Sequence, residues 1–277
     1  RYYEFNIADG PDEPWPTGSL VHHKKADAVP ANDGWRTMHM IADGSHFVVQ
    51  VDGKEILQYD DPKAIGRGFI GLQLRRGAVQ FRNVKLKPLG MNSLFNGKDL
   101  TGWKVHEETS VISVTPEGAI NIKDGPGTLE SEGQWADFTL QLEVFVNGKE
   151  LNSGVFFRSI PGEHWNGYES QIHNGYTDGD RTKPNNSGTG GIFRRQDARK
   201  VVANDFEWFW KTIHADDNHM AVWVNGRQVN DWTDRRKPNA NQRRGLRLEA
   251  GTIQFQGHDP TTDISFRDIG IAELPER

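Results

Sequence analysis

The sequence predicts an all-β protein folded as a sandwich of short strands. Asp-Gly or Asn-Gly occurs eleven times, at Asp9, Asp33, Asp43, Asp52, Asp124, Asp178, Asn96, Asn147, Asn166, Asn174 and Asn225. Such pairs turn β-hairpins, because both residues tolerate the left-handed backbone of a tight reversal. Between them lie short runs rich in Val, Ile, Phe, Tyr and Trp, bounded by Gly, Pro and Asn. Thirty glycines and nine tryptophans in 277 residues, with few long stretches of helical period, complete the pattern.

The length suits one large β domain or two smaller ones. The net charge is −5 and the pI about 6.1, and most cations are scattered, so no nucleic-acid surface is implied. Arg235-Arg236-Lys237 and Arg243-Arg244 are exceptions and read as charged loops flanking a strand. The absence of cysteine excludes disulfides, thiolate zinc sites and cysteine nucleophiles. No apolar run reaches membrane-spanning length and no signal peptide is visible. The chain lacks an initiator Met, so an upstream segment carrying a localisation signal is expected.

Residues 46–51 run into Asp52-Gly53 and then Lys54-Glu55-Ile56-Leu57, a hairpin with a two-residue turn. Further strands are expected over 68–74 and 78–86. The same order recurs later, as an internal repeat. Tyr2–Ile7 matches 167–172, Gly18–Val21 matches 190–193, and Trp35-Arg36-Thr37 matches Trp210-Lys211-Thr212. Phe47–Gly53 matches 220–226, 71–74 matches 246–249, and Phe81–Val84 matches 266–269. Residues 1–89 thus read as the C-terminal half of a domain whose complete copy is 90–277. Only the second copy has a front half, with strands near 111–114, 118–123, 128–130 and 137–146. Half a sandwich would expose an apolar face, so the missing half is expected upstream of Arg1, or another surface covers the face.

The chemistry concentrates in 151–173. Ser153–Arg158 and Tyr168–His173 read as strands joined by a loop holding Pro161-Gly162 and Asn166-Gly167. Side chains alternate along a strand, so Glu169, Gln171 and His173 share one face and Tyr168, Ser170 and Ile172 the other. A carboxylate, an amide and an imidazole in one row make a poor core face and a good floor for a polar groove. Arg158, on the neighbouring strand, is expected across from this row, holding Glu169 ionised. In the first copy the row becomes Glu4, Asn6 and Ala8, and Arg158 has no counterpart, so that copy reads as a binding or structural partner.

Leu94-Phe95-Asn96-Gly97-Lys98-Asp99-Leu100-Thr101-Gly102-Trp103 opens a set of motifs. The set continues with Ser153-Gly154-Val155-Phe156-Phe157-Arg158, Gly167–Ile172, the Val222–Gly226 hairpin, Phe266–Ile269, and Phe81–Leu89 in the first copy. Together these resemble the 3-keto-disaccharide hydrolase domain, a bacterial family formerly catalogued as a domain of unknown function. The resemblance implies a concanavalin-A-like jelly-roll of two curved antiparallel sheets, here in tandem. It also implies action on sugars oxidised at C3, in exported proteins, periplasmic or secreted. Where the family tends to show Asp-Asn, this chain has His173-Asn174.

A ketone at C3 acidifies the C2 proton. Its removal lets the glycosidic oxygen leave C1, and water then adds to the enone. This needs a base near C2, a donor for the enolate oxygen and an acid for the leaving oxygen. Glu169 is assigned as base or acid, Arg158 as the clamp on the enolate or a hydroxyl, and His173 as second proton carrier. Gln171, Trp165 and Asn152 are assigned to substrate binding, with Trp165 as a stacking face at the rim. His173 reads equally as a hydrogen-bonded surface histidine, and aromatics such as Trp208, Trp210, Trp223 and Trp232 are more often core. With one carboxylate in the row, a two-carboxylate retaining glycosidase is not expected. No metal ligand set is assigned. Asp178-Gly179-Asp180 with Asn185 and Asn186 offers oxygen ligands suited to calcium and equally resembles a solvated turn. The expected partner is a carbohydrate, and a homo-oligomer stays open. The competing reading is a non-catalytic carbohydrate-binding or interaction module of an exported bacterial assembly.

Overall fold

The computed structural model describes residues 2–10, 12–66, 68–75, 77–106 and 109–274. They form two units, 1–82 and 83–274, apart from the undescribed positions. No described residue is in an α-helix. Among the described residues no helix is long and apolar enough to cross a membrane.

In the first unit, β1 (Met38–Asp43), β2 (His46–Val51) and β3 (Lys54–Asp60) make a three-stranded antiparallel sheet in sequence order. Leu20, Phe47, Val49, Val51, Ile56 and Leu57 form its small core, with Tyr3, Phe5 and Met38 packed against it. The strands expected over 68–74 and 78–86 do not form. Phe69, Ile70, Leu72, Leu74, Val84 and Leu86 are exposed. A strand needs lateral backbone partners. In the complete copy the strand matching 78–86 pairs with strands of the front half, which 1–89 does not contain.

The second unit is a jelly-roll sandwich of the concanavalin-A-like kind. Its five-stranded sheet runs β11 (Tyr168–Ile172), β10 (Ser153–Ser159), β15 (Thr252–Gly257), β8 (Gly127–Ser131), β5 (Trp103–His106). The larger sheet runs β14 (Arg227–Thr233), β13 (His219–Val224), β12 (Trp208–Asp216), β9 (Phe138–Val146), β16 (Asp263–Glu273), β7 (Ile120–Lys123), β6 (Val111–Val114), with β4 (Asn92–Ser93) on β16. All pairings between these strands are antiparallel. Alternation builds the core: Phe138, Leu140, Leu142, Val144 and Val146 of β9 meet Val155, Phe157, Tyr168, Ile172, Ile253 and Phe255 from the other sheet. Lys211 breaks this pattern. It lies between Phe209 and Ile213 on the inward side of β12, fully buried.

The register corrects one alignment of the repeat. Lys211 pairs with Val224, and Met38 with Val51. Thr37 N–H donates to Asp52 Oδ1 as Trp210 N–H does to Asn225 Oδ1. Met38, not Arg36, therefore occupies the place of Lys211, because the strand is offset by two residues from the Trp35–Trp210 match. Elsewhere the copies agree in detail. Tyr3 Oη donates to Asp61 at 2.6 Å and Tyr168 Oη to Asp234 at 2.8 Å. Gly18 and Gly190 share a left-handed φ of 88° and 92°, as do His22 and Arg194 at 64° and 58°.

Candidate active site

The site lies on the face of the five-stranded sheet turned away from the core. Phe156 pairs with Glu169 on one side and Gln254 on the other, and Gln254 pairs with Glu130. One step along, Gly154 pairs with Gln171, and Gln256 with Thr128. Val155, Phe157 and Phe255 are in the core, so Gly154, Phe156, Glu169, Gln171, Gln254 and Gln256 face the other way. Gln171, Gln254, Gln256 and Phe156 are nonetheless buried. Loops wall this face into a recess. On one side the Ser159–Gly167 loop folds over β15: Trp165 N–H donates to Gln254 Oε1 at 3.1 Å, and Gln254 Nε2 donates to Glu163 O at 3.0 Å. On the other, Gln171 Nε2 donates to Asn186 O at 3.0 Å, and Phe193 N–H to Glu169 O at 3.0 Å.

Gly154 makes room for the carboxyl of Glu169. A Cβ at 154 would stand 2.5 Å from Glu169 Oε1 and 2.8 Å from its Cγ. Burial pushes Glu169 up to about 8, with Lys211, Arg194 and Arg243 pulling the other way. Lys211 donates from Nζ to Gln171 O at 2.8 Å. Burial pulls its ammonium down to about 7, opposed by Glu169.

Arg158 does not join this row. Phe156 pairs with Gln254 and Ser159 with Thr252, so Phe157 and Arg158 together oppose one residue, a β-bulge. Arg158 has a left-handed φ of 47°. The extra residue inverts the alternation and turns the guanidinium away from Glu169. Fully buried, it donates from Nε to Ala136 O (2.7 Å), from Nη1 to Asp217 O (2.7 Å) and Arg247 O (3.1 Å), and from Nη2 to Asp137 Oδ1 (2.9 Å). It ties loops together, and it does not hold Glu169 ionised.

Gln171 is also engaged locally, since Ile172 N–H donates to its Oε1 at 3.1 Å. His173, one residue beyond β11, is half-buried. Its Nδ1 accepts from Gly175 N–H at 3.2 Å, which leaves the proton of the neutral ring on Nε2. Burial lowers its proton affinity, against the pull of Glu150 and Asp205. The Trp165 ring lies parallel to His258 at 6.2 Å, and His258 Nδ1 is 2.7 Å from Asp259 Oδ2. The amide oxygens Asn152 Oδ1 and Gln256 Oε1 are fully buried with no hydrogen-bond partner, as are Asn166 Oδ1 and Asn230 Oδ1.

Several of these groups were missed in the sequence. Gln254 and Gln256 alternate with Ile253 and Phe255, a signal visible in Thr-Ile-Gln-Phe-Gln-Gly, but only sheet order sets them beside Gly154. Glu130 lies on the same face and is held ionised. Burial opposes this, but bonds from Thr252 Oγ1, His106 Nε2, Gly162 N and Gln254 Nε2 prevail. It pins the Ser159–Gly167 loop. It stands three strand spacings from Glu169, roughly 14 Å, too far for the two-carboxylate arrangement of a glycosidase.

The Asp178–Asp180 turn uses its carboxylates on its own chain. Asp180 accepts from Thr182 N and Oγ1, which hold it below the ordinary range, and Lys183 Nζ stands 3.9 Å from Asp178 and Asp180. Among the described residues no group of three or more His, Asp or Glu side chains could hold a metal ion.

The model of the 3-keto-alpha-glucoside-1,2-lyase-like domain matches residues 1–87 and again 90–272. The chain belongs to this family. About two thirds of the chain shares its fold with three Parabacteroides distasonis structures that carry a provisional glycosyl hydrolase name. One is 19% identical, with 67% of this chain and 94% of that chain covered and a TM-score of 0.54. The second is 25% identical over 66% and 99%, at 0.51. The third is 25% identical over 68% and 85%, at 0.52. No curated protein matches the chain. Family and fold together make this a carbohydrate-related protein.

Proposed function

We propose that the second copy cleaves 3-keto-glycosides by elimination, with Glu169 as the base. The observation that carries this reading is a lone carboxyl over Gly154, in an amide-lined recess, with its proton affinity raised to about 8. A base poised near the working pH both ionises and accepts a proton efficiently. Glu169 takes the C2 proton, and the bonding pair moves into the C3 carbonyl as an enolate. The enolate re-forms the ketone, a C1–C2 double bond forms, and the C1–O bond breaks. The departing oxygen takes a proton, and water then adds across the double bond. His173 Nε2–H is assigned to the departing oxygen, and Arg158, held in the framework, is dropped as the clamp on the enolate. Trp165 offers its ring as a stacking face.

The test is incubation of the chain with 3-keto-glucosides, scored for released aglycone across pH. Turnover should rise with pH and level above about 8, as the Glu169 carboxylate forms. Glu169→Gln should lower it by roughly 100-fold or more while sugar binding changes little. Wild-type turnover in Glu169→Gln would remove Glu169 from the chemistry. The second reading, a carbohydrate-binding module, is favoured by the amide lining of the recess, Gln171, Gln254 and Gln256, with Glu169 as its one carboxyl on β11. It stands if plain glycans bind and no 3-keto-sugar is consumed.

A further inference from the structure

Residues 194–200 and 235–247 span seven and thirteen positions and hold ten of the chain's 33 Lys and Arg, against one acid, Asp197. The protein as a whole has a net charge of −5, so this is a local reversal of sign. The two segments meet: Arg195 Nη2 donates to Gln242 O at 3.4 Å. Some of the cations are committed to the framework. Arg247 donates to Arg158 O, Ala240 O and Ala250 O, and Arg236 is paired with Asp234.

Arg194 and Arg243 are different. Both are exposed and both act electrostatically on Glu169. Arg194 follows Phe193, whose N–H is bonded to Glu169 O, and Arg243 Nη2 donates to Trp165 O at 3.1 Å. They therefore stand at opposite walls of the recess. No carboxylate among the described residues lies within ion-pair distance of either. Arg194 also holds a left-handed φ of 58°, an uncommon conformation for a long side chain, at the position His22 fills in the first copy. Two exposed guanidinium groups, Arg194 and Arg243, thus flank the mouth of the recess and act on its one carboxyl, Glu169.

We infer that the recess takes glycosides bearing an anionic substituent, a uronate carboxylate or a sulfate ester, held between Arg194 and Arg243. A guanidinium fork matches the paired oxygens of either group. The inference rests on the proposed glycoside site and names its substrate class.

The test uses the whole chain and unoxidised sugars, so that binding is read without elimination. Cellobiose, cellobiouronic acid and cellobiose 6-sulfate are titrated calorimetrically at 50 and 500 mM NaCl, with wild type and the Arg194→Gln/Arg243→Gln double variant. One or both acidic sugars should bind about tenfold more tightly than cellobiose, as two charge-assisted contacts allow. The preference should shrink in high salt and vanish in the double variant; the better acidic ligand identifies the source of the charge. Both substituted side chains are exposed, and circular dichroism checks the fold. Equal affinities, a preference that survives in the double variant, or no binding by any sugar would overturn the inference. So would tighter binding of an oligonucleotide, lost in the same variant. Turnover of a neutral 3-keto-glucoside alongside any of those results would leave the elimination reading intact.

Discussion

Burial alone would keep Glu169 protonated well past neutrality, and Lys211, Arg194 and Arg243 moderate that shift. Arg158, by contrast, is wholly absorbed in structure. Arg158→Ala should cost about 3–5 kcal/mol, because Asp137 and three carbonyls lose their buried donor. Thermal unfolding and activity of the remaining folded fraction separate the roles: the melting temperature should fall while specific activity per folded molecule holds. A normal melting temperature with lost activity would return Arg158 to the chemistry. Strand alternation was enough to read the Glu169–Gln171 face from the sequence. It could not place Arg158, since nothing in Phe-Phe-Arg-Ser announces an extra residue. Arg194 and Arg243 were equally hidden, being brought to Glu169 by segments distant in sequence.

Among the elements, β10 beside β11 and β12 in the facing sheet shape the site. Gly154→Ala adds a Cβ where the Glu169 carboxyl lies, and its backbone is not left-handed. The flexible carboxyl should move aside at little cost in stability, so turnover of 3-keto-glucosides should fall while the melting temperature holds. Unchanged turnover would mean that the position of the carboxyl is unimportant. On β12, Lys211 ordinarily titrates at 10.5, and burial brings it down to about 7. Between those values the unfolded chain holds a proton that the folded chain releases, so its contribution to stability falls as pH drops from 10.5 towards 7. Lys211→Met, which copies Met38 of the first unit, removes that penalty and loses one bond to Gln171 O. The change in melting temperature should be more favourable at pH 7 than at pH 9.5. An identical change at both values would show that Lys211 stays charged in the fold. The expected strands over 68–74 and 78–86 were misjudged for a different reason. Their composition is right, but a strand is a relation between segments, and the partners for that relation are not in the first unit.

At the scale of the whole molecule, the repeat preserves the scaffold and changes the residues of the candidate site. The Tyr–Asp bond, the glycine turn and the hairpin recur in both copies. Yet Gln171 becomes Asn6, Lys211 becomes Met38 and Arg194 becomes His22, so the first unit keeps Glu4 without its setting. Residues 68–75 and 77–86 are exposed and outside any strand, a favourable substrate for proteolysis. Trypsin should therefore cut first at Arg75, Arg82 or Lys85 and leave a folded fragment carrying 90–274, identified by mass and by cooperative melting. First cleavage inside the sandwich would contradict the division into units.

The bulge at Arg158 behaves like a shift of reading frame. A strand encodes two faces in alternating positions, and one left-handed residue exchanges them for everything downstream. Asp268 does the same in β16: its φ is 50°, and the register slips by one between Arg267 and Gly270. Deleting Arg158 or Asp268 would therefore close the bulge without moving its neighbours: Ser159 would still oppose Thr252, and Gly270 would still oppose Gln141. A single deletion at an ordinary position just beyond either bulge would instead send the residues after it to the other face. Along β10 and β16, the one place where the chain can shorten by a single residue and keep its faces is the bulge itself.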